Sequence, residues 1–316
     1  MNPKVIPLIG IAGVKLNNTS IRQNLISSEI QFDTIQKIYQ KFKPDGIFTF
    51  MDLTVEAEAL GLGINFPEND TPSVLEHRVK TPEDLEKIKS NYKGVSGRMP
   101  VFIETLKKMA AHINTFKGAY VIGPFTLAGE LNGVNDILMN CVLQPDFVAQ
   151  LVEFSTRVVQ DYTQNLFEAG ADTVCVLDPS SMMLSPEMYG QFSLSAFQKI
   201  VKSTGGKPLI LHICGDTTHL VDAMARSGAA ALSLDSIVNF KEIIRRIPPQ
   251  MELIGNLDPV DIFLNGTHES IAEATKCLKH QMQEHSNFVL GSGCDLPLAT
   301  PLENVQAFME SARNQH

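Results

Sequence analysis

The feature that most constrains this chain is an alternation. Short, continuously apolar runs of strand length are each followed by a longer helix-like stretch, eight times over. The runs cover residues 5–12, 45–52, 119–123, 172–178, 209–214, 231–235, 252–258 and 288–291. A strand with one wet face alternates apolar and polar residues, whereas a continuous apolar run marks a strand covered on both faces, as in parallel sheets flanked by helices. Eight such units in 316 residues predict an α/β fold, a single (β/α)8 TIM barrel forming one domain over residues 1–316. The rival, a doubly wound open sheet, lacks support: no Gly-x-Gly-x-x-Gly turn follows the first run, and no Gly-Lys-Ser/Thr phosphate loop occurs.

Helices are expected over residues 31–42, 100–114, 145–169, 185–203, 217–227, 239–247, 269–285 and 300–313, with 124–135 read as a loop. The less regular stretch 56–97 reads as an elaborated N-terminal connection. It contains one clear helix start, Thr81-Pro-Glu-Asp84, where threonine caps and proline occupies the first turn.

In such barrels the chemistry sits at the C-terminal ends of the strands. Asp52, Asp178, His212, Cys214, Asp235, Asp258, Cys294 and Asp295 all fall at or just after those ends. His212 and Cys214 lie two apart on one strand and therefore point to the same side. Cys294, at the end of the last strand, completes a His-x-Cys plus distant Cys set of the kind zinc uses, with three protein ligands and a fourth position open. The bland alternative is a structural cysteine beside a hydrogen-bonded histidine. Two thiolates neutralise Zn2+, so an added substrate thiolate keeps net negative charge and stays nucleophilic; this favours thiolate alkylation over water activation. Asp235 either takes the fourth position or orients His212 from behind. Asp258 and Asp178 are either substrate or outer-sphere groups, or caps of the turns that follow them.

The remaining candidates read as structure. Cys141, Cys175 and Cys277 are expected in the core, and His219, His268, His280 and His285 at the surface. The net charge of −9, with no basic stretch to offset it, argues against nucleic acid as a partner. No apolar run is long enough to span a bilayer, so no membrane partner is expected. Five cysteines without a CxxC pair suggest reduced thiols, and residues 5–9 lack a small-residue cleavage site after them; a cytoplasmic location is expected.

Leu211-His-Ile-Cys-Gly215, Ser233-Leu-Asp-Ser236, Gly255-Asn-Leu-Asp-Pro259 and Gly291-Ser-Gly-Cys-Asp295, in that order, resemble the uroporphyrinogen decarboxylase superfamily. Asp178-Pro and Ser185-Pro-Glu-Met-Tyr189 extend the likeness over nearly the whole chain. Within the superfamily the chain is similar to the zinc-dependent methylcobamide:coenzyme M methyltransferases. That resemblance implies zinc held by His212, Cys214 and Cys294. It also implies methyl transfer from a methylcorrinoid, carried by a partner corrinoid protein, to a small thiol such as coenzyme M. The decarboxylases resemble one another in an Arg-Gln-Ala-Gly-Arg segment that grips porphyrinogen carboxylates. Here the corresponding loop reads Gly13-Val-Lys-Leu-Asn-Asn-Thr-Ser-Ile-Arg-Gln23, without that clamp. Methylation of a corrinoid from a methylated substrate, porphyrinogen decarboxylation, and a non-catalytic corrinoid- or tetrapyrrole-binding barrel are the other readings.

Overall fold

The computed structural model of the chain describes residues 3–314. Eight strands form one parallel sheet: β1 (Lys4–Val5), β2 (Gly46–Phe48), β3 (Phe116–Ile122), β4 (Thr173–Leu177), β5 (Leu209–Ile213), β6 (Ala231–Leu234), β7 (Glu252–Leu257) and β8 (Phe288–Ser292). From β2 to β8 each strand pairs with the next in sequence, and β8 returns to pair with β1. The ring meets at a seam between β1 and β2, where two bonds through Asp45 replace a ladder. The Asp45 amide donates to the Val5 carbonyl at 3.0 Å, and the Val5 amide donates to the Asp45 carboxylate at 2.7 Å. The expected barrel is therefore present, with its strands wrapped by helices as continuous apolar runs require.

Register sets what points inward. Leu177, His212, Ser233, Ile254 and Val289 are partners on successive strands β4 to β8 and form one level inside the barrel. Tyr120, Cys175, Ile210 and Ala231 form a level beneath it. Residues paired across parallel strands share a face of the sheet. The lumen is thus aliphatic and aromatic, filled by side chains rather than open, and His212 replaces a branched aliphatic residue near the top.

Local chemistry explains most element ends. Ser27 caps the helix Ser28–Phe42, whose last turn closes on Lys43 at φ +49° before Pro44. Thr81 and Asp84 form a reciprocal capping box at the start of Pro82–Asn91, as the sequence predicts. The connection between β2 and β3 is elaborate: helices Val55–Ala59, Pro82–Asn91 and Met99–His112, and a small hairpin of Ile64–Asn65 with Ser73–Val74.

Several expectations need correction. The stretch 124–135 is not a loop but the helix Pro124–Asn132, followed by a second, Val134–Leu143. Nearly every residue of the first is buried, so it shows no amphipathic stripe to betray it. The first strand ends at Val5 rather than running to residue 12, because Pro7 brings no amide to a ladder and a 3-10 turn follows at Ile11–Leu16. The helix expected at 217–227 shrinks to Val221–Met224, and that at 239–247 to Phe240–Ile243 plus a 3-10 turn, Ile244–Arg246. After Ser185 a π turn, Tyr189–Leu194, precedes the helix Ser195–Ser203. Cys141 and Cys175 are buried as expected, but Cys277 lies exposed on His268–Gln281.

Candidate metal centre at the barrel mouth

His212 enters the lumen from β5 and is 2% exposed. Its Nδ1 lies 3.0 Å from the Ser233 hydroxyl on β6, its register partner. Its Nε2 faces the Cys294 thiol at 3.9 Å. Burial pushes the imidazole pKa down to about 4, against the opposing pull of the Asp235 carboxylate, so the ring is neutral at physiological pH and offers a lone pair.

Cys294 reaches this position because β8 and the turn after it pass unusually close to their neighbours. A Cβ on Gly291 would lie 2.5 Å from the Ile6 carbonyl oxygen, and one on Gly293 only 2.6 Å from the Ser236 amide. Both contacts are with backbone, which cannot swing aside, so glycine is required at each. Burial pushes the Cys294 thiol up to about 12, with the Cys214 and Asp295 charges adding to the effect. Cys214 is half-buried one step above His212, and burial followed by Asp235 raises its pKa too. Such thiols ionise only with a cation beside them. Among the described residues, no three His, Cys, Asp or Glu side chains converge closely enough as they stand to hold an ion.

The four aspartates are held very differently. Asp235 accepts from the Gly215 amide at 2.9 Å, tying down the turn that carries Cys214, and from the Ser236 hydroxyl at 3.1 Å. It does not touch Nδ1 of His212; the Ser233 hydroxyl occupies that place. Asp258 caps the turn after β7 through the Val260 and Asp261 amides, both at 2.7 Å, and also accepts from Ser236 at 2.9 Å. Asp178, 1% exposed, is saturated by the Thr126 amide and hydroxyl and by the hydroxyls of Ser181 and Ser193, at 2.6–2.8 Å. Asp52 is paired with Arg98, whose guanidinium also binds Glu58 at 2.7 Å and Thr54 at 2.8 Å. Each of these roles consumes lone pairs that a substrate would otherwise meet.

From the sequence Phe48 reads only as packing, and Tyr120 carries no functional reading. Phe48 of β2 stacks on Tyr120 of β3 with ring centroids 5.2 Å apart, and Met51 and Leu53 pack beside them. The Asp295 carboxyl, beside Cys294, is pushed up to about 7 by burial, opposed by the Ile11 and Leu296 amides. Gly118 was the available signal for the aromatic pair, since any side chain there would strike the Phe48 ring.

A parallel eight-stranded barrel with an imidazole and a thiol brought face to face at its C-terminal mouth defines the class. The chain belongs to the uroporphyrinogen decarboxylase (URO-D) family, whose sequence pattern matches residues 19–315. It is 33% identical over 271 residues to a methylcobamide:CoM methyltransferase of Methanosarcina acetivorans, covering 83% of this chain and 78% of that protein. A uroporphyrinogen decarboxylase of Prochlorococcus marinus is 27% identical over 305 residues, 93% of this chain and 86% of that protein. Among solved structures, a methyltransferase from Methanosarcina mazei superposes with a TM-score of 0.87 over 98% of this chain and 93% of that one, at 24% identity. That structural match supports the fold. Among the described residues no helix is long and apolar enough to cross a membrane.

Proposed function

We propose that the chain is a zinc-dependent methyltransferase that moves a methyl group from a methylated corrinoid, presented by a partner protein at the barrel mouth, to a small thiol. The observation that carries the reading is the 3.9 Å approach of His212 Nε2 to the Cys294 thiol. Zn–S and Zn–N bonds of about 2.3 and 2.0 Å at a tetrahedral angle would separate two such donors by about 3.5 Å, so the pair stands near ligating distance. Cys214, just past the end of β5 and close enough to Cys294 to raise its pKa, would supply the third donor by turning toward the pair. A zinc ion held by His212, Cys214 and Cys294 would lower the pKa of an incoming thiol.

The protein's own groups do the rest. Neutral His212 donates a lone pair without a competing proton. Asp235 fixes the Cys214 turn through the Gly215 amide, and its carboxylate, close enough to His212 to act on its pKa, is the candidate for the fourth position when substrate is absent. Asp258 holds Ser236 beside Asp235 and so braces the same turn from β7. Asp178 anchors the loop after β4 rather than meeting substrate. Phe48 and Tyr120 stack into an apolar wall, and Tyr120 is close enough to Cys294 to feel its charge. The methylcorrinoid would supply a methyl group whose carbon–cobalt bond breaks, leaving its electron pair on cobalt, as the thiol sulfur bonds to the carbon, and residues that hold the thiol in line with that bond would favour the transfer.

The higher identity to a methylcobamide:CoM methyltransferase, 33% against 27% for a uroporphyrinogen decarboxylase, supports this reading over porphyrinogen decarboxylation, as does the absence of the arginine clamp from residues 13–23. The test is methylcobalamin demethylation by zinc-loaded protein with a panel of thiols, coenzyme M included. Thiol-dependent demethylation that vanishes in Cys294→Ala is the expected result. No demethylation with any thiol, or CO2 release from uroporphyrinogen instead, sinks it.

A further inference from the structure

We infer that Ser233 is a positioning residue: its hydroxyl accepts the Nδ1 proton of His212, fixing the tautomer that leaves Nε2 free to bind metal. The inference rests on the zinc reading above.

A neutral imidazole carries one proton, on one nitrogen or the other. With the proton on Nε2, the ring would direct N–H at the Cys294 sulfur and have no lone pair to give on that side. Ligation through Nε2 therefore requires the proton on Nδ1, and there it needs an acceptor. On the level of the barrel around His212 the side chains of Leu177, Ile254 and Val289 accept nothing, and Ser233 alone offers a side-chain oxygen, with its main chain also in hydrogen-bonding reach of the ring. The Ser233 Oγ is 3.0 Å from Nδ1, its residue is 4% exposed, and strand register sets the two side by side. Asp235, the carboxylate that might have served, is turned to the Gly215 amide and Ser236 instead. A hydroxyl rather than a carboxylate behind the ring adds no charge to a site that already carries two thiols.

Two measurements test this on Ser233→Ala and on Ser233→Thr, which restores the hydroxyl. Nitrogen-15 spectra of the metal-free protein report which ring nitrogen of His212 is protonated. Zinc affinity is read by competition with a chromophoric chelator. Wild type is expected with the proton on Nδ1; Ser233→Ala should lose that preference and bind zinc about 10–100-fold more weakly. Ser233→Thr should keep both properties, and a melting curve shared by the three proteins separates the effect from unfolding. Wild-type tautomer and affinity in Ser233→Ala overturn the inference, as does a wild-type spectrum with the proton on Nε2. A wild-type chain that binds no zinc overturns the metal reading instead, and the nitrogen spectra still decide the role of Ser233.

Discussion

The His212 imidazole and the Cys294 thiol lie 82 residues apart in sequence and 3.9 Å apart in space. One strand end supplies each, and β6 and β7 lie between them in the sheet, so the approach spans the barrel mouth rather than a single turn. Its first consequence concerns metal. Purified protein should contain about one zinc per chain, removable by chelator. Cys294→Ala, Cys214→Ala and His212→Ala should each weaken zinc binding by more than the roughly 10–100-fold typical of losing an outer-sphere partner. Stoichiometric zinc of unchanged affinity in Cys294→Ala, by elemental analysis and chelator competition, contradicts the site.

Asp178 should prove structural. Its carboxylate satisfies three hydroxyls and one amide in a fully buried setting, and its backbone amide donates to the His212 carbonyl at 3.0 Å. Asp178→Ala leaves those donors unpartnered and should cost about 3 kcal/mol or more in urea unfolding. Asp178→Asn keeps the shape but gives up acceptor capacity, and should fall between wild type and alanine.

Arg98 holds the elaborated connection to the end of β2. It is buried, paired with Asp52 and Glu58, and its guanidinium lies 4.5 Å over the Phe66 ring. Removing it strands the Asp52 charge, so Arg98→Met should destabilise by about 3–5 kcal/mol. Replacing both partners, Arg98→Met with Asp52→Asn, should recover part of the loss. A calorimetric series in which the double variant is worse than the sum of the singles would refute the pairing.

Glu56 predicts the pH dependence of stability. Burial pushes its carboxyl up to about 8, although the Ile122 amide donates to it at 2.9 Å and opposes the shift. Its second oxygen and the Tyr162 hydroxyl are both buried without partners. A carboxyl whose folded pKa exceeds the unfolded one, near 4.5, prefers to be protonated in the native state. Stability from this group is therefore full below about pH 4.5 and is lost as pH rises toward 8, by a few kcal/mol in all. Glu56→Gln should reduce that slope: urea midpoints at pH 5 and pH 8 should lie closer together in the variant than in wild type, the remainder coming from Asp295, whose carboxyl is also raised by burial. Equal slopes in both proteins would show that Glu56 ionises freely.

Much of the barrel was legible because its cause is local and repeated. A strand covered on both faces must be apolar at every position, and eight such runs between helical stretches admit few arrangements. Helix starts such as Thr81-Pro82 were readable for the same reason, since capping is decided within four residues. The helix Pro124–Asn132 escaped because burial on all sides erases the periodicity that marks a helix. Cys277 was misplaced because its exposure depends on which face of His268–Gln281 packs inward.

At the site the division is sharper. The residue types and their place at or just past the strand ends followed from the sequence by itself, because barrel architecture directs strand ends to one mouth; β5 stops at Ile213 and leaves Cys214 in the turn beyond it. That determined the candidates and the chemistry they suit. Only the tertiary structure decided their company: Ser233 rather than Asp235 behind the imidazole, Asp178 locked among hydroxyls, and Asp258 spent on a cap. Hydrogen-bond partners from different strands depend on the register between strands, and neither composition nor spacing along one strand contains that register. The distance from Cys294 to His212 belongs to the same category, set by glycines that let β8 and its turn press against the backbone of their neighbours.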